Sequence, residues 1–130
     1  VVIGTSVFLI GCATSPSVQR LQTDPRFQEA ARQLATAYLE SQKKGDSGAQ
    51  YGIGGAAHFY NLAEYKLVSF GWEWGAPAVF VRVKAGNKIG GNPIWENYSI
   101  RFSHNPQLEA AGDSSLGLRI DRVGPSMVEF

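Results

Sequence analysis

One stretch of the chain repeats its apolar residues at helical spacing. It begins after Asp24-Pro25, which is typical of a helix start because the aspartate caps free N–H groups and proline needs no donor in the first turn. Gly45 is a natural stop, so the pattern predicts an amphipathic helix of about 20 residues. The predicted apolar face carries Phe27, Ala30, Ala31, Leu34, Ala37 and Tyr38.

After residue 63 the apolar residues alternate with polar ones, which is the pattern of half-buried strands. Four strands are predicted, at Glu64 to Trp74, Ala78 to Ala85, Ile94 to Ser103 and Leu116 to Val123. The second is the clearest, with Val79, Val81 and Val83 on its inner face. In the first strand both faces are apolar, so the pattern leaves open which of them is buried. Short connections force the four strands into an antiparallel meander.

Each predicted strand has one apolar and one polar face, so the sheet is expected to pack on one side only. The helix has the apolar stripe that covers it. We therefore predict an α+β fold, with one N-terminal helix packed on a curved four-stranded antiparallel meander. This layout, with its glycine-rich crossover from Gly45 to Ala57, resembles the cystatin-like and NTF2-like group of small folds, which includes many short bacterial lipoproteins.

An uncharged apolar run at the start of the chain ends near Cys12, the single cysteine. Leu9-Ile10-Gly11-Cys12 resembles the lipobox of bacterial lipoproteins, which implies cleavage before Cys12 and acylation of its thiol and new amino terminus. The chain then divides into the end of a signal peptide at 1–11, a lipidated cysteine and tether at 12–23, and a single domain at 24–130. The run is shorter than the ~20 residues of a membrane-spanning helix. A transmembrane anchor, an ordinary signal peptide and a buried strand stay open as alternatives.

Composition narrows the function further. Twelve Lys and Arg against eleven Asp and Glu give a net charge of +1, so there is no basic footprint for nucleic acid. An apolar fraction of 44% is that of a packed domain and not of a disordered chain. A single cysteine excludes an intrachain disulfide.

The sequence offers little for catalysis. It contains no G-x-S-x-G and no H-E-x-x-H motif. His58 and His104 are expected at opposite ends of the sheet, too far apart to share a metal ion. Glu73, Glu96 and Asp121 are explained as outward charges that keep the sheet soluble. We therefore expect a protein that is not an enzyme and uses neither a cofactor nor a metal.

Aromatic residues suggest binding instead. Phe70, Trp72 and Trp74 share one face of the first predicted strand and would form an apolar patch for a partner. The alternative is that the two tryptophans cap the core beside the helix.

The expected function is that of a lipid-anchored, non-enzymatic module that binds another envelope protein or a small ligand. Ala13 stands where an aspartate would resemble an inner-membrane retention signal, so we expect the outer membrane, facing the periplasm. The alternative is a small NTF2-like enzyme or ligand carrier that uses the concave face of the sheet. Its pocket would be lined by His58, Tyr60 and Tyr98.

Overall fold

The computed structural model describes residues 16–45, 51, 59, 61–86, 92–126 and 128. Helices come first, strands follow, and a short helix separates the last two strands. The elements are α1 (Pro16–Thr23), α2 (Pro25–Lys43), β1 (Leu62–Glu73), β2 (Ala76–Ala85), β3 (Ile94–His104), α3 (Pro106–Ala110) and β4 (Leu118–Pro125). The strands form one antiparallel sheet in the order β1-β2-β3-β4. The α+β class and the meander are confirmed.

Helix α2 begins and ends where the sequence indicates. The Asp24 carboxylate accepts a hydrogen bond from the Arg26 N–H, and the Arg26 guanidinium also donates to it. These bonds from Arg26 lower the pKa of Asp24 to about 2. Beyond the helix, Gly45 adopts a φ of +84°, the left-handed conformation that favours glycine at a helix end.

The core lies between α2 and one face of the sheet. The three valines of β2 that the alternation places inward are 0–1% exposed. On the helix, Ala37 is exposed, contrary to the predicted stripe, and Ala35 and Leu39 are buried instead. The most deeply buried apolar residues of this core are Phe27, Ala31, Ala35, Tyr38, Leu39, Val79, Val81, Val83, Ile100, Phe102 and Leu118. Burial of one such large side chain stabilises the fold by roughly 1.5–3 kcal/mol.

Both edge strands contain β-bulges. In β1 the register against β2 shifts between Leu62 and Glu64 and again between Leu67 and Ser69, which leaves one extra residue at each place. In β4 the pairing moves from Arg122 to Ile120, so the residue between them is extra. Each extra residue reverses the alternation of the strand beyond it.

The bulges settle which face of β1 is buried. Tyr65 and Leu67 pair with inward valines of β2, and beyond the bulge Phe70 pairs with the inward Val79. Residues of both predicted faces therefore contact the core. The bulged Val68 is 44% exposed. A simple alternation through the whole strand was wrong, because it assumed a single register.

The sheet is strongly twisted. The Ser126 hydroxyl, just after β4, donates to the Glu73 carboxylate at the end of β1, at 3.0 Å. These two edge strands would lie about 14 Å apart in a flat four-stranded sheet. Twist, which bulges increase, brings the two diagonal corners together on the face opposite α2. We call this face, opposite α2, the open face of the sheet.

The segment before α2 is folded. The sequence suggests a tether up to Thr23, whereas Pro16–Thr23 forms α1. Leu21 is buried in the core, and the Arg20 guanidinium donates to Glu109 in α3 at 2.6 Å. Glu109 also contacts His104 Nε2 at 2.9 Å. The bond from Arg20, followed by that from His104, lowers the pKa of Glu109.

The connection between β3 and β4 is built around Asp113. Its carboxylate accepts hydrogen bonds from the Arg119 guanidinium and from the Gly117 and Ser115 N–H groups, and these hold its pKa well below the usual range. Gly117 passes close to the backbone of Asn105, whose N–H donates to its carbonyl at 2.9 Å. This packing sets where β4 begins.

Replacement of Gly117 with Ala tests that packing. The new Cβ would lie 2.3 Å from the Asn105 carbonyl oxygen, and φ is +78°, so we expect a loss of roughly 3 kcal/mol or more in the free energy of unfolding. Gly112→Ala is the matched control. Gly112 has a φ of +89° but no atom within 4 Å of the new Cβ, so only the backbone strain of about 1–2 kcal/mol applies. Equal losses in urea unfolding would contradict the close approach at Gly117.

Candidate functional site

An open cleft lies on the open face of the sheet, opposite α2. Its volume is about 580 Å³. It is lined by Trp74, Ala76, Arg101, Asp121, Arg122 and Pro125. These residues come from the β1–β2 turn and from three different strands, so the cleft exists only in the folded sheet.

A bulge places the second arginine in this cleft. Leu118 and Ile120 of β4 face the core, and simple alternation would turn Arg122 toward the core as well. The extra residue Asp121 shifts the register, so that Arg122 pairs with Arg101 of β3. The two arginines therefore stand directly opposite each other on the open face.

This arginine pair lacks a counterion within the described part of the chain. The described salt bridges include neither Arg101 nor Arg122. The Arg101 Nε atom is buried and has no hydrogen-bond partner there. Like charges directly opposite each other on a sheet are destabilising, and a buried N–H without an acceptor costs further free energy. The pair lowers stability and points five-donor guanidinium groups into an open cleft.

Trp74 forms one wall of the cleft in an unfavourable backbone conformation. It lies in the two-residue turn between β1 and β2, where Trp74 has a φ of +55° and Gly75 a φ of +73°. A turn with two positive φ values favours Asn, Asp or Gly in its first central position. Trp74 is nevertheless 70% exposed. Burial of the indole does not offset the backbone strain, because the residue is exposed. Such strain marks a candidate functional site.

The positive character of the open face continues beyond the cleft. The Lys66 ammonium and the Arg82 guanidinium both lie over the ring of Trp95, at 5.1 Å and 5.7 Å from its centroid. Lys84, paired with Trp95 across the sheet, contacts Glu64 at 3.7 Å. Lys66 and Arg82 also form no described salt bridge, and the buried Arg82 Nε, like that of Arg101, has no hydrogen-bond partner among the described residues. What sets Arg101 and Arg122 apart is that they line the cleft.

The aromatic patch predicted from the sequence is divided by the structure. Phe70 and Trp72 are half-buried on the helix side, where with Gln22 and Gln28 they line a second cleft of about 200 Å³. Trp74 lies beyond the end of β1 and lines the arginine cleft instead. The three side chains do not form one surface.

The predicted pocket residues are described only in part. His58, Tyr60 and the lipidation residue Cys12 lie outside the described residues. Tyr98 lies on β3 and packs edge-to-face on Phe59, with 4.9 Å between the ring centroids. Burial raises the pKa of the Tyr98 hydroxyl, and the charge of Glu96 raises it further.

Sequence reasoning missed Arg101 and Arg122. A signal for them exists in the fourth strand, where an inward pattern at Leu118 and Ile120 breaks at Arg122 and resumes one position late at Val123. Such a slip by one residue indicates a bulge. It does not show that Arg101 is the residue opposite.

The comparisons with known proteins add no relative. No family model matches the chain, and no curated protein or solved structure is significantly similar to it. Within the described ranges, no group of three or more His, Cys, Asp and Glu side chains is placed to hold a metal ion. A search of the same residues finds no helix that is both long enough and apolar enough to span a bilayer.

Removal of one arginine charge should stabilise the protein. We expect Arg122→Gln to raise the free energy of unfolding by about 0.2–1 kcal/mol, because it relieves the repulsion across the strands. The gain should shrink in high salt, which screens exposed charges. Arg32→Gln on the exposed side of α2 is the control. It should lower the free energy of unfolding slightly, because Arg32 pairs with Glu29 at 3.0 Å. A clear loss of stability in Arg122→Gln would show that the arginine has a structural role.

Relief of the backbone strain in the β1–β2 turn should also stabilise the protein. Trp74→Asn should raise the free energy of unfolding by about 1 kcal/mol, because Asn tolerates positive φ and little burial is lost. Trp74→Phe keeps an aromatic residue in the strained position and should leave the stability nearly unchanged. Thermal unfolding measures both variants. A destabilised Trp74→Asn would mean that the indole supports the fold.

Proposed function

We propose that this chain is a lipid-anchored, non-enzymatic binding module of the bacterial cell envelope, held at the outer membrane and facing the periplasm. The observation that carries the binding role is the cleft beside Trp74. There a strained, exposed tryptophan and an arginine pair without a described counterion lie together, and each lowers stability. Features that cost stability persist where binding needs them.

Lipid anchoring rests on the sequence. Leu9 to Cys12 resembles a lipobox, and acyl chains on Cys12 would hold the domain at a bilayer, since each buried CH₂ contributes roughly 0.8 kcal/mol. Ala13, in place of an aspartate, favours the outer membrane. Another envelope protein or a small ligand is the partner in this proposal.

Within this proposal the domain belongs to the cystatin-like or NTF2-like group. The helix-first order and the four-stranded meander support that assignment. A carrier or enzyme of the NTF2-like kind would need a pocket between helix and sheet. There Phe27, Tyr38 and Phe102 are 0–1% exposed and packed, which favours a module that binds on the open face.

Replacement of Cys12 with Ser tests the anchor. Without the thiol no acyl chain can be attached, so we expect the protein to move from the membrane pellet to the soluble periplasmic fraction. Thr14→Ser, two positions away, is the control and should stay in the membrane. Mass spectrometry of the wild-type protein should show loss of residues 1–11 and acyl chains on Cys12. A Cys12→Ser protein that still sediments with membranes would contradict lipid anchoring.

A further inference from the structure

We infer that the arginine cleft binds a carboxylate-bearing ligand, with Arg101 and Arg122 holding the carboxylate and Trp74 packing on an adjacent flat or apolar part of the ligand. This inference rests on the proposed binding function and names its ligand class. It is independent of whether Cys12 is acylated.

The arginine pair argues for an oxyanion. A guanidinium is a planar fork of N–H donors that matches the two oxygens of a carboxylate. Arg101 and Arg122 face each other across adjacent strands, and neither forms a described salt bridge. A bound carboxylate would relieve their mutual repulsion.

Asp121 distinguishes between kinds of oxyanion. It lines the same cleft and comes from the bulge that turns Arg122 outward. Among the described lining residues, two arginines and one aspartate give a net charge of +1. This charge complements a monoanionic carboxylate, whereas a phosphate dianion would meet the repulsion of Asp121 with no further cation among those residues.

Trp74 argues for a second part of the ligand. Trp74 is 70% exposed, and it forms a wall of the cleft whose other members include the small Ala76 and the flat Pro125. An apolar or aromatic group beside the carboxylate would bury this indole. The cleft volume of about 580 Å³ accommodates a ligand of the size of an acylated amino acid or the end of a short peptide.

The test uses the purified full chain and three probes. N-acetylphenylalanine carries the carboxylate and an aromatic group, its C-terminal amide is a neutral counterpart, and phenyl phosphate carries a phosphate instead. Binding is followed by calorimetric titration and by the NMR signals of the Trp74 indole N–H and the arginine Nε–H groups. We expect the carboxylate to bind at least tenfold more tightly than the amide, and more tightly than phenyl phosphate.

Variants assign the binding to the cleft. Arg101→Lys and Arg122→Lys keep the charge but lose the fork, and each should weaken carboxylate binding at least tenfold. Trp74→Asn should weaken binding although it stabilises the fold, whereas Trp74→Phe should retain most of the affinity. Asp121→Asn should reduce the ratio of the affinity for N-acetylphenylalanine to that for phenyl phosphate. Arg32→Gln on α2 is the matched control and should bind as the wild type does.

Four outcomes would overturn the inference, three of them comparisons of binding. These three are equal binding of the acid and its amide, tighter binding of phenyl phosphate, and carboxylate binding that survives both lysine variants. Absence of binding at millimolar probe concentrations would do so as well. These binding results do not depend on the membrane fractionation of Cys12→Ser. Failure of the ligand assignment can therefore be distinguished from failure of the lipid anchor.

Discussion

The register of the two edge strands is the constraint on which the rest of this structure depends. The inner strands β2 and β3 pair without interruption, whereas β1 and β4 each carry more residues than a regular ladder accepts. The surplus is absorbed in bulges, and each bulge decides which side chains face α2 and which face solvent. The packed core, the twist of the sheet and the arginine cleft all follow from where those extra residues lie.

The main elements could be predicted from the sequence because their signals are local. Asp24 and Gly45 mark the ends of α2, and the alternation around Val81 identifies the central strand. The bulges could not be predicted in the same way, since they depend on the neighbouring strand. In β1 both faces are apolar, so a register shift at Val68 leaves no visible break in the alternation of apolar and polar residues.

Two helices escaped prediction for a related reason. α1 and α3 are too short to show a clear period, and tertiary contacts stabilise them. Arg20 in α1 reaches Glu109 in α3, so each short helix supports the other across 89 residues of sequence. In the candidate site, only the exposed Trp74 could be singled out from the sequence. The facing arginines required the register between β3 and β4.

The folded state of α1 has a consequence for how far the domain could range from a membrane. Pro16 is the fourth residue after Cys12, and a chain spans at most about 3.5 Å per residue, so an acylated Cys12 would confine the start of α1 to within roughly 14 Å of the lipid surface. α1 is fastened to the domain through Leu21 and Arg20. The cleft would then sample a thin layer next to the bilayer instead of the full depth of the compartment, which raises the effective concentration of surface-bound ligands.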